Sequence, residues 1–162
     1  MHIENVALIG LGAIGVTFGN QIQKHLPGCL TVIADNERIA RYRREGVYSN
    51  GVPCEFTYIT PEEKPKRPAD LVLIAVKYGG LQEAIEAISN QIGPNTIILS
   101  LLNGISSEEM AGSVYGEDKV LLSVAQGMDA VKVGSHLTYQ NMGKIVFGDA
   151  QPGLISEKTR AV

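Results

Sequence analysis

Close to its start the chain runs from an apolar stretch, Asn5 to Ile9, straight into Gly10-Leu11-Gly12-Ala13-Ile14-Gly15 and then into a segment patterned as a helix, Ala13 to His25. A strand that passes through G-x-G-x-x-G into a helix is the start of a βαβ unit, and each glycine has its own physical task. Gly10 permits the tight strand-to-helix turn, Gly12 lets backbone approach a pyrophosphate, and Gly15 allows helix and strand to pack closely. The helix N-terminus behind the turn presents free N–H groups and the positive end of its dipole, so it attracts phosphate without a lysine. Glycine spacing alone is weak, since the chain holds 18 glycines. Its place, in what should be the first βα unit, strengthens it.

The rest of the chain repeats that alternation. Cys29 to Ala34 reads as the second strand, after the punctuation of Pro27-Gly28. Glu37 to Glu45 reads as a helix closed by Gly46. Val47 to Tyr58 alternates around Asn50-Gly51, which predicts a hairpin excursion or small antiparallel insert. Pro61 to Pro68, with three prolines, reads as an exposed loop. Leu71 to Val76 is continuously apolar, as a strand buried on both faces must be. Leu81 to Ile92 is an amphipathic helix stopped by Gly93-Pro94, and Thr96 to Leu101 is another buried strand. Ser106 or Ser107 is placed to cap a short helix to about Val114, with Glu108 and Glu109 in its first turn. Lys119 to Val124 and Lys144 to Phe147 complete the strands, with Ser135 to Tyr139 between them as one more candidate. The pattern predicts an α/β, Rossmann-like, doubly wound and mainly parallel sheet with helices on both faces. Residues 1–150 form the NAD(P)-binding domain in this reading, and residues 151–162 begin a helix leading out of it.

Length and charge narrow the function classes. At 162 residues there is room for about one domain. A hydrophobic share of 44% with 19% charged residues is that of a globular protein, and a net charge of −3 favours neither nucleic acid nor a membrane surface. The basic run Arg38, Arg41, Arg43, Arg44 is bracketed by Glu37 and Glu45 and reads as a solvated helix face or as a ligand contact. Cys29 and Cys54 fit neither a metal spacing nor a disulfide framework, which makes the reduced cytoplasm the default compartment. His2, His25 and His136 have no triad or metal-ligand spacing.

Ligands of doubly wound sheets bind beyond the carboxyl ends of the strands, which singles out Gly10 to Gly15, Lys77-Tyr78 and Asn103-Gly104. Asp35 ends the second strand near the spacing at which a carboxylate accepts from an adenine ribose; the alternative for it is to cap the next helix. Alone, its charge favours NAD over NADP, while Arg38 or Arg41 could accommodate a 2′-phosphate. Lys77, at the mouth of a buried strand, either snorkels to solvent or holds an anionic or hydroxylated ligand. Asn103-Gly104 forms a turn with or without a ligand.

With Gly10-Leu11-Gly12-Ala13-Ile14-Gly15, Val76-Lys77-Tyr78 and Leu102-Asn103-Gly104-Ile105 in view, the sequence resembles the N-terminal domain of the ketopantoate reductases (2-dehydropantoate 2-reductases). The stretch Leu121 to Gly148, with Gly127, Ala130 and the closing Gly143-Lys-Ile-Val-Phe-Gly148, is similar to the last part of that domain, so the likeness covers nearly the whole chain. In that family a hydride from NADPH reduces ketopantoate, a small 2-oxo acid, to pantoate on the way to coenzyme A. The resemblance implies an NADP(H)-binding oxidoreductase domain in which Gly10 to Gly15 hold the pyrophosphate and Lys77 and Asn103 border the nicotinamide. Asn103 would also touch substrate, and the Ala130 backbone would lie near the cofactor.

Where many members carry an arginine for the 2′-phosphate, this chain has Asp35-Asn36, which leaves NAD(H) open as the cofactor. The family's proton-donating lysine and a substrate glutamate belong to a helical C-terminal domain absent from this sequence, so no catalytic residue is expected here. The expectation is a fragment that binds dinucleotide weakly, turns over little and exposes apolar surface for self-association, a homodimer included. Two alternatives stay open: a non-catalytic dinucleotide-sensing module, and a reductase of a different 2-oxo acid.

Overall fold

The computed structural model describes residues 2–103 and 106–162. Strand β1 (Val6–Ile9) leads into α1 (Ala13–His25), β2 (Leu30–Ile33) and α2 (Asn36–Glu45). The hairpin β3 (Tyr48–Ser49) and β4 (Val52–Pro53) precedes β5 (Thr57–Ile59), β6 (Leu71–Ile74), α3 (Leu81–Ala87), β7 (Ile97–Ser100) and α4 (Ser106–Tyr115). The chain closes with β8 (Val120–Gln126), β9 (Val131–Val133), β10 (His136–Thr138), β11 (Lys144–Gly148) and α5 (Glu157–Ala161).

Seven strands form one sheet in the order β11-β8-β7-β6-β1-β2-β5. Its pairs are parallel except β11 on β8, so the sheet is doubly wound and mainly parallel, as expected. Val6 sits in register with Leu30 on one side and with Leu71 on the other. The strand order therefore reverses between β1 and β6, and a crevice opens at their carboxyl ends.

β1, β6 and β7 are buried throughout, which is why β1 and β6 read as unbroken apolar runs and β7 departs from one only at Ser100. Their alternate side chains serve two cores. Val6 and Leu8 join Val16, Phe18 and Val32 on the α1 face, whereas Ala7 and Ile9 join Ile74, Leu81, Ile85 and Ile88 on the α3 face. Each such Leu or Ile contributes about 1.5–3 kcal/mol by leaving water, so α3 is held by its buried face rather than by its seven residues of helix.

The Asn50-Gly51 turn forms as expected, with both residues at positive φ (50° and 79°) as a two-residue hairpin requires. It belongs to a second sheet, β4-β3-β10-β9, whose central pair is parallel and joins chain segments far apart in sequence. The Asn50 carboxamide adds to that link, accepting from the Tyr139 N–H (2.9 Å) and donating to its carbonyl (3.1 Å). The intervening strand expected near Ser135 to Tyr139 is β10, whose Leu137 is buried in the α1-side core.

Four sequence expectations change. Thr57–Ile59 leaves the hairpin excursion and joins the main sheet as the edge strand parallel to β2; period-2 alternation continues from one sheet into the other, so the pattern carries no sign of the switch. β9 was not foreseen, since Val131 and Val133 point to solvent and only Lys132 turns inward. The helix expected to Ile92 ends at Ala87 and continues as a 3₁₀ turn, Ser89–Gln91. Neither serine is the outer cap of α4: both lie in its first turn, and Ser107 donates to the Glu108 carboxylate (2.7 Å) while accepting from Ser100 (2.7 Å).

At the β8–β11 edge, Leu122, Val124 and Val146 stand in one exposed apolar row, 39–44% accessible. The following segment folds back through Asp149, which accepts from the Ser156 N–H and the Thr159 hydroxyl, both at 2.8 Å, ahead of α5.

Candidate functional site

A cleft of about 520 Å³ opens at the carboxyl ends of β1, β2 and β6, lined by Gly10 to Gly12, Ile33 to Asp35 and Ala75 to Lys77 among others. The three glycines differ in what they permit. Gly10 takes φ +98° and lies against the backbone of Ala75, so a Cβ there would be 2.7 Å from that carbonyl. Gly15, in the first turn of α1, faces inward, and an added Cβ would come within 1.8 Å of the Gly10 carbonyl oxygen. Gly12 faces outward with nothing within 4 Å of such a Cβ. The helix therefore sits tight against the strand turn while its outer approach is open.

Gly12 is also the N-cap of α1 and supplies no side-chain acceptor, and the first turn holds no acidic residue. The N–H groups of Ala13, Ile14 and Gly15 lack intrahelical partners by geometry. Together with the dipole they make the open side of Gly12 a place for an anion.

At the β2 end Asp35 is the cap of α2 and also stands on the cleft wall. Its carboxylate caps α2, accepting from the Arg38 N–H (2.7 Å), and pairs with the Arg38 guanidinium (2.5 Å), yet the residue lines the cleft. Arg38 and Arg41 also line it, so this part of the basic run faces the cleft rather than bulk solvent alone. Tyr42 stands beside them and stacks on Tyr58, ring centres 5.6 Å apart. Lys132 reaches the same cleft from β9 with its ammonium donating to the Gly134 carbonyl (2.8 Å). Loss of hydration, and secondarily the Arg41 charge, lower the basicity of that amine. Sequence reading had no means to find Lys132, because only the pairing of β9 with β10 carries it across.

Lys77 is exposed at the end of β6, where it caps the 3₁₀ turn Tyr78–Gly80, and it lines the cleft. Leu11 is buried beneath the turn, and Ala13 and Ile14 are half-buried in the first helical turn. Asn103 is exposed beyond β7 and Ala130 is half-buried against the α1-side core; neither lines the cleft. Gly104 and Ile105, the rest of the turn expected after β7, lie outside the described residues. Glu83 and Pro61 line the cleft without having been singled out by any motif.

Among the described residues no cluster of His, Cys, Asp and Glu could hold a metal ion, and no helix is long and apolar enough to cross a membrane. His2 and His25 are exposed, and His136 stacks on Tyr48 at 4.5 Å. Both cysteines are free thiols.

The family model described as ketopantoate reductase PanE/ApbA matches residues 6–152. The chain is 30% identical over 152 residues to the 2-dehydropantoate 2-reductase of Aquifex aeolicus (strain VF5), a match covering 93% of this chain and 48% of that protein. Its fold is similar to that of 2-dehydropantoate 2-reductase from Porphyromonas gingivalis W83, with a TM-score of 0.75 at 22% identity over 99% of this chain and 59% of the other. It is also similar to D-mandelate dehydrogenase in a ternary structure with NADH and anilino(oxo)acetate, with a TM-score of 0.75 at 19% identity over 92% of this chain and 49% of the other. At such identities the structural likeness speaks for the fold. The chain spans about half the length of the curated relatives it matches.

Proposed function

Since the chain belongs to the ketopantoate reductase family, we propose that residues 1–150 are the dinucleotide-binding domain of a 2-dehydropantoate 2-reductase-like oxidoreductase. Residues 151–162 lead out of that domain. The observation that carries the reading is the cleft at the strand-order reversal, where the Gly10–Gly15 turn leaves the N-terminus of α1 free and open.

The residues present fit a nicotinamide dinucleotide. Gly12 leaves room for a pyrophosphate on the first-turn N–H groups, the β2 end offers Asp35 to ribose hydroxyls, and the cleft is large enough for an extended ligand. When bound, such a cofactor supplies the hydride that reduces a 2-oxo acid to a 2-hydroxy acid, ketopantoate to pantoate in the family reading. The protein's part is to bind and orient. Gly10 to Gly15 fix the pyrophosphate, and Lys77 at the β6 mouth places a positive charge toward the nicotinamide end, where it holds an anionic or hydroxylated group. The family resemblance adds Asn103 near the substrate and the Ala130 backbone near the cofactor, although neither residue lines the cleft in this structure.

No side chain lining the cleft is assigned as proton donor. Positioned proton transfer is worth about 10² to 10⁴ in rate, so this chain alone is expected to bind dinucleotide and turn over little. Self-association, as a homodimer, is supported by the apolar row Leu122, Val124 and Val146. The compartment expected is the cytoplasm.

Calorimetric titration of the chain with NADPH and NADH tests the reading: saturable binding of either supports it, and binding of neither overturns it. Reduction of ketopantoate by this chain at the rate of a complete enzyme would overturn the view that it lacks the proton donor. Asp35 at the β2 end favours a second reading, an NADH-dependent reductase of another 2-oxo acid, and tighter binding of NADH than of NADPH is its signature.

A further inference from the structure

The basic residues of the cleft come from two distant segments. Arg38 is engaged by Asp35 at 2.5 Å, which leaves its charge largely offset. Arg41 lies one helical turn further along α2, and Lys132 comes from β9 of the small sheet; among the described residues neither has a carboxylate within 4 Å. Both line the main cleft, and both also line an adjoining recess of about 280 Å³ with Tyr42 and Gly46. Glu45 borders that recess, but its carboxylate pairs with Arg44 at 2.8 Å. Two cations thus share one wall, neither of them paired to a carboxylate, and the amine is partly stripped of water in the presence of the guanidinium. Such an arrangement is costly alone and favourable once a dianion bridges it.

We propose that Arg41 and Lys132 form a subsite for a phosphomonoester dianion at the adenosine end of the cleft, so that the 2′-phosphate of NADPH is read by this pair rather than from the end of β2. The inference rests on the dinucleotide reading of the cleft. It reconciles Asp35 with a phosphorylated cofactor: the carboxylate at the strand end is neutralised by Arg38, while the phosphate is held one helical turn away. The small sheet gains a role in the same step, since β9 carries Lys132 to the cleft wall that Arg41 lines.

The test uses the adenosine end alone. The parent chain, Lys132→Gln, Arg41→Gln and Lys132→Arg are titrated by calorimetry with adenosine 2′,5′-bisphosphate, with 5′-AMP and with inorganic phosphate, and their thermal melts are compared. The parent should bind the bisphosphate at least tenfold more tightly than 5′-AMP, and each Gln variant should lose about tenfold or more of that preference, as removal of one charge-assisted bond implies. Binding of 5′-AMP should stay unchanged, Lys132→Arg should retain the preference, and inorganic phosphate should compete only weakly. An unchanged ratio in Lys132→Gln overturns the inference. So does an equal loss for both nucleotides with a lowered melting temperature, which would make Lys132 a structural support of the β9–β10 turn. Failure of the parent to bind NADPH, NADH or either nucleotide overturns the dinucleotide reading itself, and the inference with it.

Discussion

Alanine at Gly15 and alanine at Gly12 should separate folding from binding within one turn of chain. At Gly15 the new Cβ would lie 1.8 Å from the Gly10 carbonyl oxygen, 2.9 Å from its carbon and 3.4 Å from the Ala75 Cβ. Carbon and oxygen tolerate approach to about 3.3 Å, so α1 must shift outward by roughly 1.5 Å against a core packed at crystal density. Overpacking of this kind costs about 1–3 kcal/mol, and a displaced backbone puts it at the upper end. The better helix propensity of alanine returns at most about 1 kcal/mol. A net loss near 2 kcal/mol corresponds to about 4–8 °C in melting temperature for a domain of this size. At Gly12 there is nothing within 4 Å, and φ −74°, ψ −167° is backbone that alanine adopts freely. The cost there is confined to a poorer N-cap, about 0.5–1 kcal/mol. The methyl would stand where the pyrophosphate must approach, and loss of one charge-assisted bond, about 1.5–3 kcal/mol, weakens binding about 10- to 150-fold. Urea unfolding and calorimetric titration with NADPH and NADH, run on both variants, give the comparison. Gly15→Ala as stable as the parent, or Gly12→Ala binding with undiminished affinity, would refute the reasoning.

Three further outcomes follow from the same geometry. Glu108 is buried and accepts from Ser107 (2.7 Å) and from the Ser123 N–H (3.4 Å), so Glu108→Ala strands both donors and should cost about 1–3 kcal/mol; an unchanged urea midpoint would contradict the network. The N–H groups of Asn141 and then Gln140 hold the Asp129 carboxyl below its ordinary value of 3.8. A carboxyl depressed on folding stabilises above its unfolded value and ceases to do so as pH falls through the folded one. The stability gap between the parent and Asp129→Ala should therefore be constant from neutrality to about pH 4 and narrow as pH falls further; a gap that does not narrow in acid excludes this origin. Burial pushes the Cys54 thiol up to about 11, so its alkylation by iodoacetamide at pH 7.5 should be far slower than in the unfolded chain and should climb with pH. Equal rates in the folded and unfolded chains would place the thiol in water instead.

What the amino-acid order determined by itself is local. Asn5 to Gly15 specify a strand, a turn with a positive-φ glycine and a helix within a few residues, and the unbroken apolar run at Leu71 and the nearly continuous one at Ile97 declare strands covered on both faces. Asp35 was legible as a cap and as a cleft residue because both roles depend only on its place between β2 and α2. Asn50-Gly51 announced its own turn through its backbone preferences. Tertiary structure decided everything that pairs distant segments. Whether Thr57–Ile59 belonged to the hairpin or to the edge of the main sheet depended on which sheet offered free backbone partners, and the side-chain period is two in both. Lys132 reached Arg41 only because β9 pairs with β10 and β10 with β3, a registry in which Val131 and Val133 face outward. Periodicity records which side chains need to leave water, since that need is written residue by residue; which surface receives them, and which charges are thereby brought face to face, depends on contacts between residues that the order of the chain keeps far apart.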